Sequence, residues 1–138
     1  MGKRDDIMRR MIVLFLVVII GCASIGDSRR MDKLEMITDR YESALQWGQY
    51  ETAVMMIRAE QNERSMTGPD DLRKFKITSY RLINKSVAES GEEAKQMIEI
   101  KYYDRDDMIE KTLIDNQTWT YDRDAGGWFL SSGLPHFQ

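Results

Sequence analysis

The sequence predicts an α+β fold in which two amphipathic helices precede a curved four-stranded antiparallel meander. Apolar residues recur with a helical period from Met31 to about Ala59, and with a period of two beyond Leu72. The alternating stretches are separated by Glu89–Glu92, Asp104–Asp107 and Asp122–Gly127, which have turn chemistry at hairpin length. A chain that switches once from helices to successive hairpins places its helices on one face of an antiparallel sheet.

The first 21 residues stand apart from this pattern. Arg9 and Arg10 precede an unbroken apolar stretch, Met11 to Ile20, and the small residues Gly21, Cys22, Ala23 and Ser24 follow. The stretch is about half the ~20 residues that a membrane-crossing helix needs. A basic start, a short apolar segment and small residues describe an export signal instead. Asp5 and Asp6 are unusual in such a start, which leaves both Met1 and Met8 open as the first translated residue. Myristoylation after Gly2 would ask for Ser or Thr where Asp6 stands.

Ile19, Ile20, Gly21 and Cys22 resemble the lipobox of bacterial lipoprotein precursors. The resemblance implies cleavage between Gly21 and Cys22, a diacylglycerol on the Cys22 thiol, and an amino terminus that is acylated, as with palmitate. Several such chains hold a small domain on a bilayer. A lone unmodified cysteine would be uncommon in an oxidising compartment. Because Ala23 rather than an aspartate follows the cysteine, the resemblance also implies the outer membrane, facing the periplasm, in a Gram-negative host. The expected organisation is a signal peptide over 1–21, a lipidated tether over 22–30, and a domain over 31–138. Extended at about 3.5 Å per residue, the tether reaches no further than about 28 Å from the lipid.

With 138 residues, 42% of them apolar and 31% charged, the chain suits one soluble domain with a core. Its net charge is -3, and the segment after Gly21 carries sixteen basic against twenty-one acidic residues. That surface offers no basic footprint for nucleic acid.

The first helix is expected over Met31–Trp47. Leu34, Ile37, Tyr41, Ala44 and Leu45 form its apolar stripe, and Asp32, Lys33, Glu35, Asp39, Arg40 and Glu42 lie largely opposite. Gly48 marks its end. A second helix is expected over Tyr50–Ala59, buried through Tyr50, Ala53, Val54 and Ile57, and Gln61–Asp71 with its Gly68-Pro69 pair reads as a loop. In the first strand Phe75 and Ile77 share one parity while Tyr80 and Leu82 share the other. A β-bulge near Thr78-Ser79 explains the slip and bends the sheet. The second strand sets Ala94, Gln96, Ile98, Ile100 and Tyr102 against Lys95, Met97, Glu99, Lys101 and Tyr103. A third runs over Met108–Tyr121, and a short fourth holds Trp128, Phe129 and Leu130.

The stretches ALQWGQYETAV and QTWTYDRDAGGWFLSSGLPHF resemble the NTF2-like, or cystatin-like, superfamily, and within it small bacterial lipoproteins of unassigned function. The resemblance covers about Met31 to Gln138. It implies a sheet curved into a cone over the long helix, and several such domains are enzymes that use an Asp, His or Tyr inside the cone. The row Ile109, Lys111, Leu113, Asp115, Gln117 and Trp119 supplies the candidates. Tyr41, Tyr80, Asp115, Gln117 and Trp119 are the candidate pocket residues, with Asp115 a general base of raised pKa and Tyr41 or Tyr80 a proton donor. A lone strand Asp is more often a hydrogen-bonded or surface residue, and aromatic side chains more often fill a core.

No Ser-His-Asp, Cys-His or phosphate-cradling arrangement is visible. His136 has no ligand-type residue at metal spacing, so no metal and no cofactor are expected. The acidic runs of the hairpins lack the glycine and distant glutamate of a calcium loop. Met97 and Tyr103, on the other sheet face, are the candidate interface for an envelope protein or a second copy. The expected function is that of a membrane-anchored envelope lipoprotein, held by the lipid on Cys22, with a non-catalytic interaction domain contacting another envelope component. A small apolar ligand carrier and an enzyme using Asp115 are the alternatives.

Overall fold

A computed structural model of the chain describes residues 26–64 and 68–138. Ile19, Ile20, Gly21 and Cys22 lie outside the described residues, as do Met1 and Met8. Met1–Asp32 and Lys33–Gln138 form two compact units. In the described part of the first, residues 26–32 are helical and Arg30 pairs with Asp27 at 2.6 Å. The second unit holds the sheet and all that follows.

Helix α1 covers residues 26–46, so it begins within the expected tether. Leu34, Tyr41, Ala44 and Leu45 are buried with 1% exposure or less, in keeping with an amphipathic helix laid on an apolar surface. Gly48, at φ +69°, closes it: Gln49 N donates to Ala44 O at 2.7 Å, and Gly48 N to Leu45 O at 3.2 Å. These bonds satisfy carbonyls of the last turn, and the left-handed conformation they need favours glycine.

The second helix departs from expectation. Helix α2 is confined to Tyr50–Val54, because the chain then forms a parallel β-bridge between Ile57 and Leu130. Leu130 N donates to Met56 O at 2.8 Å, and Arg58 N to Leu130 O at 3.0 Å. Backbone groups that a longer helix would use internally are spent on the sheet instead. Two short helices, α3 (Ala59–Arg64) and α4 (Pro69–Leu72), occupy most of the expected loop. Pro69 opens α4, where its missing N–H costs nothing, and Gly68 N donates to Asp71 Oδ2 at 2.9 Å.

Strands β1 (Phe75–Val87), β2 (Glu93–Asp104), β3 (Glu110–Asp122) and β4 (Gly127–Leu130) form one antiparallel sheet in the order β1-β2-β3-β4. The β1–β2 register shifts twice, between Ile77 and Ser79 and between Leu82 and Asn84. The first shift lies at the parity slip in the sequence, and the second, around Ile83, left no sign there. The β2–β3 register is unbroken from Glu93↔Thr120 to Tyr103↔Glu110. On β2, Ala94, Gln96, Ile98, Ile100 and Tyr102 are buried, and the residues between them are not.

The core lies between α1 and this buried row. Tyr41 meets Trp119 edge to face, with ring centroids 5.5 Å apart. Residues after β4 fold back along the same side of the sheet. Leu134 and Pro135 are buried, Phe137 packs on Tyr102 and Phe75 at 4.5 and 5.2 Å, and the Tyr102 hydroxyl donates to Gln138 O at 3.0 Å. Leu134, Pro135 and Phe137 therefore help fill the side of the sheet on which Tyr102 is buried.

Candidate functional site

The five candidate pocket residues come together on the α1 side of the sheet, but as packed structure. Period-two alternation puts Asp115, Gln117 and Trp119 of β3 on one face. Gln117, 1% exposed, organises them. Its Nε2 donates to Asp115 Oδ2 and to the Tyr80 hydroxyl, both at 2.8 Å, and its Oε1 accepts from Trp119 Nε1 at 3.3 Å. The Tyr41 hydroxyl is buried with no hydrogen-bond partner among the described residues.

Burial raises the Asp115 carboxyl above its ordinary value, while the Gln117 amide and the charge of nearby His136 pull it down. Burial also raises Tyr41 and Tyr80, and the charge of Asp115 adds to both. Both phenols thus stay neutral across the ordinary pH range. Of the two expected donors, neither is seen donating to Asp115; the Tyr80 oxygen accepts from the same amide that holds the carboxylate. His136 lies close enough for its charge to act on Asp115. Among the described residues no three His, Cys, Asp or Glu side chains gather as a metal would require.

A groove of about 470 Å³ opens elsewhere on the Lys33–Gln138 unit. One wall is an α1 stripe, Lys33, Met36, Ile37 and Arg40, at i, i+3, i+4 and i+7. Thr52, Met55 and Met56 form the second wall, and Gly127, Trp128 and Phe129 of β4 the third. Met36 and Met55 are 67% and 72% exposed. Among the described residues no acidic side chain lines it. Lys33 Nζ donates to Gly126 O at 2.8 Å, which ties the helix to the β3–β4 hairpin.

No family model matches the chain, and no curated protein matches it. One solved structure does: the solution structure of a SEC-C motif containing protein from Rhodopseudomonas palustris matches with a TM-score of 0.54 and 14% identity, over 70% of this chain and 73% of the other. The likeness is one of fold. It overturns the NTF2-like or cystatin-like expectation of two helices on a curved sheet: the architecture is an N-terminal helix followed by a four-stranded antiparallel sheet, similar to that SEC-C motif protein. The physical reason lies in what the two suggestive stretches encode. ALQWGQYETAV specifies the end of α1 and the five residues of α2, and QTWTYDRDAGGWFL specifies the β3–β4 hairpin. Both are local structures that many sheets share.

The candidate interface residues Met97 and Tyr103 lie on the far sheet face, six residues apart along β2. Met97 is 39% exposed and sits between Asn84 and Asn116; beside it Arg81 pairs with Glu99 at 2.9 Å, and Ile114, opposite Glu99, is 45% exposed. The acidic hairpin tip is locally satisfied, since Asp122 Oδ1 accepts from Asp124 N and Ala125 N at 2.9 Å each. Among the described residues no helix is long and apolar enough to cross a membrane.

The groove is what the sequence reading missed. Its signal was present as Met36 and Ile37 bracketed by Lys33 and Arg40, a second stripe one position round from the core stripe. Met55 and Phe129, from segments far apart in the chain, complete it.

Proposed function

We propose that the protein is a membrane-anchored envelope lipoprotein, tethered through a lipid on Cys22, whose Lys33–Gln138 unit is a non-catalytic domain that engages another envelope component through the methionine-lined groove. In a Gram-negative host its place is the outer membrane, facing the periplasm. The observation that carries the reading is the exposure of Met36 and Met55 on a groove of about 470 Å³. Exposed apolar concavities of this kind mark binding surfaces, and methionine adapts its shape to what it contacts. The volume falls in the few-hundred-Å³ range of small-molecule sites, which favours an apolar ligand over a broad protein interface. Asp115 is bound by the Gln117 amide, which also donates to the Tyr80 hydroxyl of β1, an arrangement suited to packing the sheet.

The test is labelling in the native membrane. Radioactive fatty acid should label the full chain and fail to label Cys22→Ser. A photo-cross-linking residue at position 36 or 55 should capture an envelope molecule that the same residue at position 97 does not. Equal labelling of Cys22→Ser would remove the anchor, and equal capture from all three positions would remove the groove.

A further inference from the structure

The charge of the groove narrows what enters it. Along α1 the apolar pair Met36 and Ile37 lies between two cations, Lys33 and Arg40, about 10 Å apart at 1.5 Å per residue. Lys33 already spends a donor on Gly126 O, whereas Arg40 makes no hydrogen bond or ion pair with any described residue. The absence of acidic side chains from the walls, among the described residues, disfavours a cationic amphiphile. A wholly neutral ligand would leave the Arg40 guanidinium without a role.

We infer that the groove binds a long-chain carboxylate, with its hydrocarbon tail on Met36, Ile37, Met55 and Phe129 and its carboxylate at Arg40. This rests on the reading that the groove is the contact surface, and adds the class of ligand. Guanidinium takes a carboxylate through two parallel N–H donors, and an arginine with no competing partner needs no rearrangement to do so. The unbranched methionine side chains give the tail a contact that follows its bends.

The experiment uses the full chain in phosphatidylcholine vesicles, with a diazirine-bearing palmitate as the probe and mass spectrometry to locate the adducts. Adducts should fall on peptides carrying Met36 and Met55. Unlabelled palmitate should compete, while hexadecanol and hexadecyltrimethylammonium should compete weakly. Arg40→Gln should reduce labelling about tenfold or more, the usual loss for one charge-assisted hydrogen bond, with circular dichroism unchanged. Adducts spread over the far sheet face, equal competition by hexadecanol, or labelling undiminished by Arg40→Gln would each overturn the inference. If position 36 still captures an envelope molecule in native membranes while palmitate fails here, the ligand class falls and the groove reading stands. If neither occurs, both fall.

Discussion

Tyr41 of α1 and Trp119 of β3, both with no exposed surface, meet edge to face at 5.5 Å, and this contact joins the long helix to the middle of the sheet. The tyrosine brings a hydroxyl that finds no partner among the described residues. A buried unpaired hydroxyl costs stability, whereas the ring contact contributes to it. Tyr41→Phe should therefore be neutral or stabilising by up to about 1 kcal/mol, and Trp119→Ala should cost about 3–5 kcal/mol. Urea unfolding of the two variants checks the pair, and a clear loss from Tyr41→Phe would show that the hydroxyl has a partner.

Gln117 is the donor for two oxygens at once. Gln117→Leu keeps the volume but leaves Asp115 and Tyr80 without that amide. The expected cost is about 1–3 kcal/mol, the usual penalty for unpaired polar groups. Thermal unfolding measures it. If Tyr80→Phe and Gln117→Leu combined cost as much as their sum, the two residues do not act as one network.

Asp115 gives the pH profile its sign. Its folded pKa is raised, chiefly by burial, so the folded state holds this proton more tightly than the unfolded state does. The contribution of Asp115 is most favourable below its ordinary pKa and is lost as pH rises from there through the raised folded value. Asp122 runs the other way: hydrogen bonds from Ala125 N and Asp124 N lower it, so its contribution is present above its ordinary pKa and is lost as pH falls through the lowered value. Stability measured from pH 3 to 7 should lose the Asp115 decline in Asp115→Asn and keep the Asp122 rise. A wild-type minus Asp115→Asn difference that is flat across this range would contradict the burial of the carboxylate.

Gly48 carries the helix stop. A Cβ there would lie 3.8 Å from the Tyr50 ring, an ordinary contact, so the cost of Gly48→Ala comes from the backbone at φ +69°. About 1–2 kcal/mol is expected for an L-residue in this conformation. Chemical denaturation reads it, and a loss below about 0.5 kcal/mol, the range of ordinary surface changes, would mean that the turn relaxes.

The groove and the far sheet face predict different outcomes for similar substitutions. Met36→Glu and Met55→Glu alter exposed side chains and should change stability by no more than about 0.5 kcal/mol. Ligand capture should be abolished by either. Met97→Glu and Tyr103→Glu should leave capture unchanged, and an effect of these two as large as that of Met36→Glu would move the contact surface to the sheet.

Where an element rests on nearest neighbours in the chain, its residues announced it. The period-two alternation of β2 shows in its burial from Ala94 to Tyr102, and the slip at Thr78-Ser79 shows as a register shift. The same alternation placed Asp115, Gln117 and Trp119 on one face, since strand parity follows from the pleat alone. Other features depend on partners distant in sequence. Met56 and Arg58 gave up helical bonding for Leu130, so the second helix ended at Val54. Tyr102 and Phe75 are covered where Phe137 folds back onto them beside the buried Leu134 and Pro135, a packing that no local period encodes.

By itself the sequence determined strand parity and the glycine stop of α1, because pleat and left-handed glycine are properties of short stretches. Tertiary structure alone decided that Asp115 is held by Gln117 in a packed cluster, and that Met36, Met55 and Phe129 share a groove edged by Arg40. Those side chains are brought together by the pairing of Ile57 with Leu130 and the docking of α1 on the sheet, and burial free energy summed over the whole core selects both.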